Sequence, residues 1–153
     1  MADDQLAAER AASQAPPNGD GTIESVDLLA AHQSGDHVLA MYIAAFNADP
    51  TSHMPITVFS GGYAFSGRLV GASMYFDAVA DRADNDAISI PFRKMAEDYR
   101  NEPADDMPLV TTYVHMLDVS VFGGAERLGK LKAWRGRLSQ ISGWTTERIK
   151  SKG

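Results

Sequence analysis

The run LVTTYVHMLDVSVFGG, residues 109–124, constrains the fold of this chain more than any other segment. It is rich in β-branched and aromatic residues, which favour extended strands, and it is apolar on both faces as far as Met116. A strand that is apolar on both faces needs cover from other elements on both sides. The run therefore predicts a central strand, ended by Gly123 and Gly124, inside a sheet with elements packed on each face.

The stretch ITVFSGGYAFSGRLVG, residues 56–71, predicts a β-hairpin. Apolar residues alternate on both sides of the Ser-Gly-Gly reversal, as they do in strands with one buried face. A tight turn needs positive φ angles, which Gly61 and Gly62 adopt without steric cost. The alternating positions are Ile56, Val58, Tyr63, Phe65 and Leu69.

Helical spacing appears before and after this hairpin. Residues 22–35 and 36–47 predict two helices, and in the second the apolar residues recur on one helical face. A helical insert follows at about residues 73–100, with one helix capped by Ser73 and another beginning at Pro91, a residue favoured in first turns. The apolar positions of the helix over 36–47 are Val38, Leu39, Tyr42, Ile43 and Phe46.

The order of these elements predicts an α+β fold, an antiparallel sheet with helices packed on it. A chain of 153 residues buries one core without disulfides, and this chain has no cysteine. We expect residues 1–21 to form a disordered tail, because they contain hardly a large apolar residue and cannot bury enough surface to offset the entropy of ordering. Residues 22–148 then form a single domain, and residues 149–153 a basic C-terminal tail.

The closing stretch AWRGRLSQISGW, residues 133–144, predicts a pair of strands after a loop at AERLGK, residues 125–130. In such a pair Arg135 and Arg137 alternate outward, away from the core. Four large apolar side chains face the core in this arrangement. They are Trp134, Leu138, Ile141 and Trp144.

Catalytic chemistry has no evident location in the sequence. No phosphate-binding loop or nucleophile elbow is present, and the acidic pairs lie in polar connectors. His32 and His37 are five apart and do not share a helical face, while His115 in the predicted central strand is better explained as a packed, hydrogen-bonded core residue. We predict no catalytic residue, no cofactor and no metal site.

Basic residues gather at the carboxyl end. Residues 123–153 hold eight of the 14 Lys and Arg and two of the 20 Asp and Glu, so this end carries +6 and residues 1–122 carry −12. Such a split either solubilises an edge strand or provides a basic face for an acidic partner. For the second alternative, the candidate protein-binding residues are Lys130, Lys132, Arg135 and Arg137.

Cellular location follows from the same composition. No apolar run approaches the ~18 residues that cross a bilayer, and the N-terminal MADDQLAAERAAS is not a secretory signal. We therefore expect a cytoplasmic protein that has no membrane segment.

Part of the hairpin resembles the first motif of Sm-like RNA-binding proteins. That motif consists of a Gly, a second Gly five residues later and a Leu two residues after the second Gly. Gly62, Gly67 and Leu69 match it, and the later Arg135-Gly136 resembles the second motif. This resemblance implies a small, strongly bent antiparallel sheet or partial barrel of Sm or SH3 type. The Asp and Asn that contact the base in that family fall here on Ser73 and Asp77. RNA recognition is therefore not expected.

A second resemblance covers residues 56–144. The glycine-rich hairpin, the strand YVHMLDVSVF and the ending WRGRLSQISGW are similar to the accessory protein U family of gas vesicle clusters. The resemblance implies a non-enzymatic accessory protein that binds shell or accessory proteins, or self-associates as a homo-oligomer, at gas vesicles, without nucleic acid. Its structural motif residues here are Gly61, Gly62, Gly67, Trp134, Gly136 and Trp144.

Two alternatives remain open from the sequence. One is an Sm-like nucleic-acid binder whose base-recognition residues are degenerate. The other is a small-ligand domain with a pocket between the helical insert and the sheet.

Overall fold

A computed structural model describes residues 36–101 and 113–150. The predicted tail 1–21 and the predicted helix 22–35 lie outside the described residues. The elements in chain order are α1 (His37–Ala48), β1 (His53–Ser60), β2 (Tyr63–Val70), α2 (Ala72–Ala80), α3 (Asp86–Asn101), β3 (Tyr113–Gly123), β4 (Glu126–Arg137), a 3₁₀ turn (Leu138–Gln140) and β5 (Gly143–Thr145).

The strands form one antiparallel sheet in the order β4-β3-β2-β1-β5. Helix α1 precedes the sheet, and α2 and α3 are inserted between β2 and β3. The predicted α+β class is confirmed. Because the sheet is open and not closed into a barrel, the comparison with Sm or SH3 barrels holds only loosely.

Helix α1 covers one face of the sheet. Its apolar positions Leu39 and Ile43 are completely buried, and the Asp36 carboxylate accepts the Val38 and Leu39 N–H groups to cap the helix. The predicted helix at 36–47 is therefore confirmed. The cluster beneath it consists of Leu39, Ile43, Ile56, Val58, Leu69, Val114, Met116, Val119 and Leu138.

Helices α2 and α3 form the second layer, around Phe76 and Ala96. The two layers meet β3 from opposite sides. Val114 and Met116 belong to the α1 cluster, whereas the intervening His115 contacts the Phe76 ring, at 5.5 Å between ring centres. The prediction that this strand is covered on both faces is confirmed.

The predicted hairpin is confirmed as β1 and β2, with Ser60 paired to Tyr63 across the turn. Gly61 and Gly62 have φ of +58° and +83°, so both turn positions lie in the left-handed region. Further along β2, the pairing with β3 shifts register opposite Asp118, whose own φ is +53°. This β-bulge therefore lies beside Gly67.

The starts of the two inserted helices differ from the prediction. Helix α2 begins after Gly71, and the Ala72 N–H donates to Oδ1 of Asn47 at 2.8 Å, so Ser73 is not the cap. Ser73 is instead the second residue of the helix, and it is buried. Helix α3 begins at Asp86, and Pro91 lies inside it.

At the carboxyl end the predicted loop is wrong, and the two predicted strands are present but not as a hairpin. The reversal after β3 is confined to Gly124 and Ala125, so most of AERLGK is already strand β4. β4 and β5 do not pair with each other; they form the two opposite edges of the sheet. The 3₁₀ turn beginning at Leu138 connects β4 to the opposite edge of the sheet. There the Ser142 N–H donates to the Phe59 carbonyl of β1.

Candidate functional site

Strand β4 places the four predicted protein-binding residues along one edge of the sheet. All positions from Glu126 to Lys132 are exposed. Lys130 and Arg137 lie about 23 Å apart along the strand, at roughly 3.3 Å per residue. The four residues therefore form a row, and they do not converge on a single point.

Arg135 is exposed but has fixed partners. Its Nε donates to Nε2 of His115 at 3.2 Å, and its guanidinium carbon lies 3.6 Å from the centre of the Tyr113 ring. It also lies 5.8 Å from the Phe76 ring centre. Arg135 thus joins β4 to the α2 layer, a role that strand alternation alone did not indicate.

His115 lies at this junction, 3% exposed. Burial and the neighbouring Arg135 cation lower its pKa from 6.5 to about 3, so the ring is neutral near pH 7. Because Nε2 accepts from Arg135, the proton is on Nδ1, which has no hydrogen-bond partner in the described part of the chain. As predicted, the residue is packed and hydrogen-bonded in the core.

The two tryptophans of the closing motif have separate structural roles. The Trp134 indole stacks on Phe65, with ring centres 4.5 Å apart, and lies over Gly136. Trp144 pairs with Val58 in register, and its Nε1 donates to Asp36 at 2.7 Å. The bond from Trp144 is the largest cause of a lowered pKa at the Asp36 carboxyl. Burial opposes it, and the two backbone N–H bonds add to it.

Beyond β5, the chain crosses the face of the sheet that α1 does not cover. The Thr57 hydroxyl donates to the Glu147 carbonyl at 2.7 Å, and the Ile149 N–H donates to the Ser66 hydroxyl at 2.9 Å. Arg148 donates to the Asp118 carbonyl at 3.0 Å. These three bonds hold residues 147–149 against the sheet.

A groove of about 320 Å³ lies between this segment and the sheet. We call it the basic groove. Four of its lining residues are cationic, and two carry hydroxyls. Its lining is Ser66, Ser120, Phe122, Arg127, Lys130, Arg148, Ile149 and Lys150.

The basic groove was not evident from the sequence. Its cations belong to the basic carboxyl end, but only the tertiary fold brings Arg127 and Lys130 together with Arg148 and Lys150. The groove does not involve the helical insert, where a pocket was one sequence-based alternative. Among the residues described, no three His, Asp or Glu side chains are grouped as metal ligands.

A family model described as gas vesicle protein GvpU-like matches residues 36–149. The chain belongs to the GvpU-like family of gas vesicle proteins. The match begins at the α1 cap and ends in the segment that covers the sheet, so it includes all the elements described above. No curated protein and no solved structure gives a match.

Membership of the GvpU-like family confirms the resemblance seen in the sequence and implies an accessory role in gas vesicles. In the described part of the chain, no helix has the length and apolar character needed to cross a membrane.

Proposed function

We propose that this GvpU-like chain is a non-enzymatic protein that binds gas vesicle shell or accessory proteins, or a second copy of itself, through strand β4. The observation that supports this most is the exposure of β4 at the sheet edge. Leu128 and Leu131 are 55% and 41% exposed, and they alternate with the cations Lys130 and Lys132. Exposed apolar and charged side chains on an unpaired edge suit a protein partner.

The charge of β4 specifies the chemistry of that partner. Lys130 and Lys132 on an edge would attract an acidic surface, and residues 1–122 of a second copy carry −12. Contact between unlike surfaces of two copies propagates into larger assemblies unless its rotation closes a ring. Association of this kind would take place on vesicles in the cytoplasm.

Charge reversal tests this proposal. We expect Lys130→Glu with Lys132→Glu to leave the fold intact and to remove association with gas vesicles. Each exposed ion pair contributes about 0.2–1 kcal/mol, so reversing two charges turns a weak attraction into repulsion. The measurements are co-sedimentation with purified gas vesicles and light scattering of the protein alone, at low and high salt.

The matched control is Arg93→Glu with Lys94→Glu on α3, which makes the same change in net charge at another exposed site. This control should sediment like wild type. Wild-type association should weaken as the Debye length falls from ~10 Å at 0.1 M salt to ~3 Å at 1 M. If both double variants co-sediment with gas vesicles as well as wild type does, β4 is only a solubilising edge.

A further inference from the structure

The basic groove brings together cations from two distant parts of the sequence. Arg127 and Lys130 come from β4, and Arg148 and Lys150 come from the segment after β5. β4 and β5 are at opposite edges of the sheet, so the last residues return across the sheet to reach the groove. The fold therefore concentrates four positive charges in one concavity.

The walls of the basic groove are fixed by the hydrogen bonds of the segment 147–149. Ser66 is 2% exposed, accepts from the Ile149 backbone and lies 2.9 Å from the Thr57 hydroxyl. Arg148 is held by the Asp118 carbonyl. A groove whose backbone is already held in place loses little conformational entropy when a ligand binds.

Among residues 36–101 and 113–150, no carboxylate forms an ion pair with the positive charges of the basic groove. Within the described residues, Arg127, Lys130 and Lys150 form no ion pair, and no Asp or Glu lines the groove. Glu126 and Glu147 are sequence neighbours of Arg127 and Arg148 but do not line the groove. By contrast, the helical layer pairs its cations: Arg93, Lys94 and Arg100 each contact an aspartate.

We propose that the basic groove binds a small multivalent oxyanion of phosphate chemistry, of the size of a diphosphate. Four cations match a ligand with several negative charges, and guanidinium, ammonium and hydroxyl groups all donate hydrogen bonds to phosphoryl oxygens. A volume of about 320 Å³ is at the small end of ligand sites. Phe122 and Ile149 form the apolar part of the lining.

Titration calorimetry of the full chain with inorganic pyrophosphate, at low salt and without divalent metal, tests this site. We expect saturable binding of one pyrophosphate per chain. Arg127→Ala with Lys150→Ala should weaken it about tenfold or more, because each removes a charged hydrogen-bond donor. Both side chains are exposed, so the thermal midpoint should stay close to that of wild type.

The matched control is Lys132→Ala with Arg137→Ala, which removes one Lys and one Arg that do not line the groove. This control should bind pyrophosphate like wild type. An equal loss in both double variants would show general charge attraction and overturn the proposal, as would absence of saturation. If Arg127→Ala with Lys150→Ala fails to fold, Lys130→Gln alone should still weaken binding, and wild-type affinity in that variant would overturn the site.

Two competitors define the ligand chemistry. Citrate, a carboxylate of comparable charge, should compete weakly, and competition equal to that of pyrophosphate would contradict phosphate chemistry. Single-stranded RNA should not displace pyrophosphate, and displacement by RNA would overturn the small-ligand assignment. Lys130 belongs both to the groove and to the proposed vesicle-binding strand, so the two proposals are distinguished by Arg127 and Lys150, which line the groove, and by Lys132, which does not.

Discussion

Replacing Gly136 with alanine is expected to lower the free energy of unfolding by about 1–3 kcal/mol, the usual range for overpacking. A β-carbon at Gly136 would lie 2.3 Å from Cη2 and 2.7 Å from Cζ2 of the Trp134 indole. The ring cannot yield without leaving Phe65, on which it stacks with ring centres 4.5 Å apart. The alanine therefore forces the indole out of its packed position.

Trp134→Ala is expected to cost more, about 3 kcal/mol, at the low end of the range for large aromatic residues because the indole is only partly buried. The three atoms nearest to the added β-carbon at Gly136 all belong to this ring. In the Trp134→Ala background, Gly136→Ala should therefore add little further destabilisation. Denaturant unfolding of the wild type, the two single variants and the double variant measures this coupling.

Gly129→Ala is the matched control, since it lies on the same strand and its β-carbon would meet nothing within 4 Å. It should change stability much less than Gly136→Ala. Additive effects of Trp134→Ala and Gly136→Ala would contradict the proposed contact. The coupling would explain the spacing of the Trp-Arg-Gly motif: two residues on one face of β4 that need each other, with an arginine on the other face.

The sequence indicated the elements whose evidence is local. Period-two alternation located the hairpin, and helical spacing located α1, because each pattern arises from the side-chain directions of a single element. Apolar residues on both faces of the predicted central strand required two covering layers, and the structure shows them over residues 113–116, whereas residues 109–112 lie outside its described part. None of these predictions needed the partner of a strand to be known.

Long-range contacts were not accessible in the same way. The WRGRLSQISGW motif is compatible with a hairpin, and only the pairing of β5 with β1 shows that its halves belong to opposite edges. The basic groove likewise depends on the return of residues 147–150 across the sheet. No short-range pattern encodes either contact.

Local rules also failed where tertiary packing overrode them. Ser73 is a favoured cap residue, yet the chain uses Gly71, since a β-carbon there would lie 2.2 Å from the Phe46 carbonyl oxygen. The close approach of α1 to α2 therefore fixes the boundary. Pro91 is tolerated inside α3, although proline is most common in a first turn.

Acid is expected to destabilise the fold because His115 must remain neutral in it. The loss of stability should begin at a pH well above the range in which carboxylates titrate. The folded-state pKa is about 3 and the ordinary value is 6.5, so between these values the unfolded chain binds a proton that the folded chain does not. The contribution of neutral His115 to the free energy of unfolding is therefore fully present above about pH 6.5, and it is lost as the pH falls toward the folded-state pKa. The slope of the unfolding free energy against pH is expected to approach about 1.4 kcal/mol per pH unit, the value for a difference of one bound proton between the two states.

Side chains on two elements, β4 and α2, disfavour protonation of His115. Arg135 on β4 contributes a positive charge, and the Tyr75 and Phe76 rings of α2 exclude water. Burial also raises the pKa of Tyr75, which stays neutral throughout this range. A positive imidazolium would then lie beside the Arg135 guanidinium without a counter-ion among the described residues.

His115→Gln should remove this slope, because an amide does not titrate and its oxygen can still accept from Arg135. We expect the variant to be somewhat less stable than wild type at pH 7 but to lose little stability between about pH 6.5 and 5, a window above the lowered pKa values of Asp36 and Asp118. The exposed His53→Gln is the matched control and should keep the wild-type slope. Denaturant unfolding at half-unit pH steps measures all three proteins. A wild-type stability that stays flat across this window would mean that the folded protein accepts the proton on His115, and that the ring is not held neutral by Arg135 and its burial.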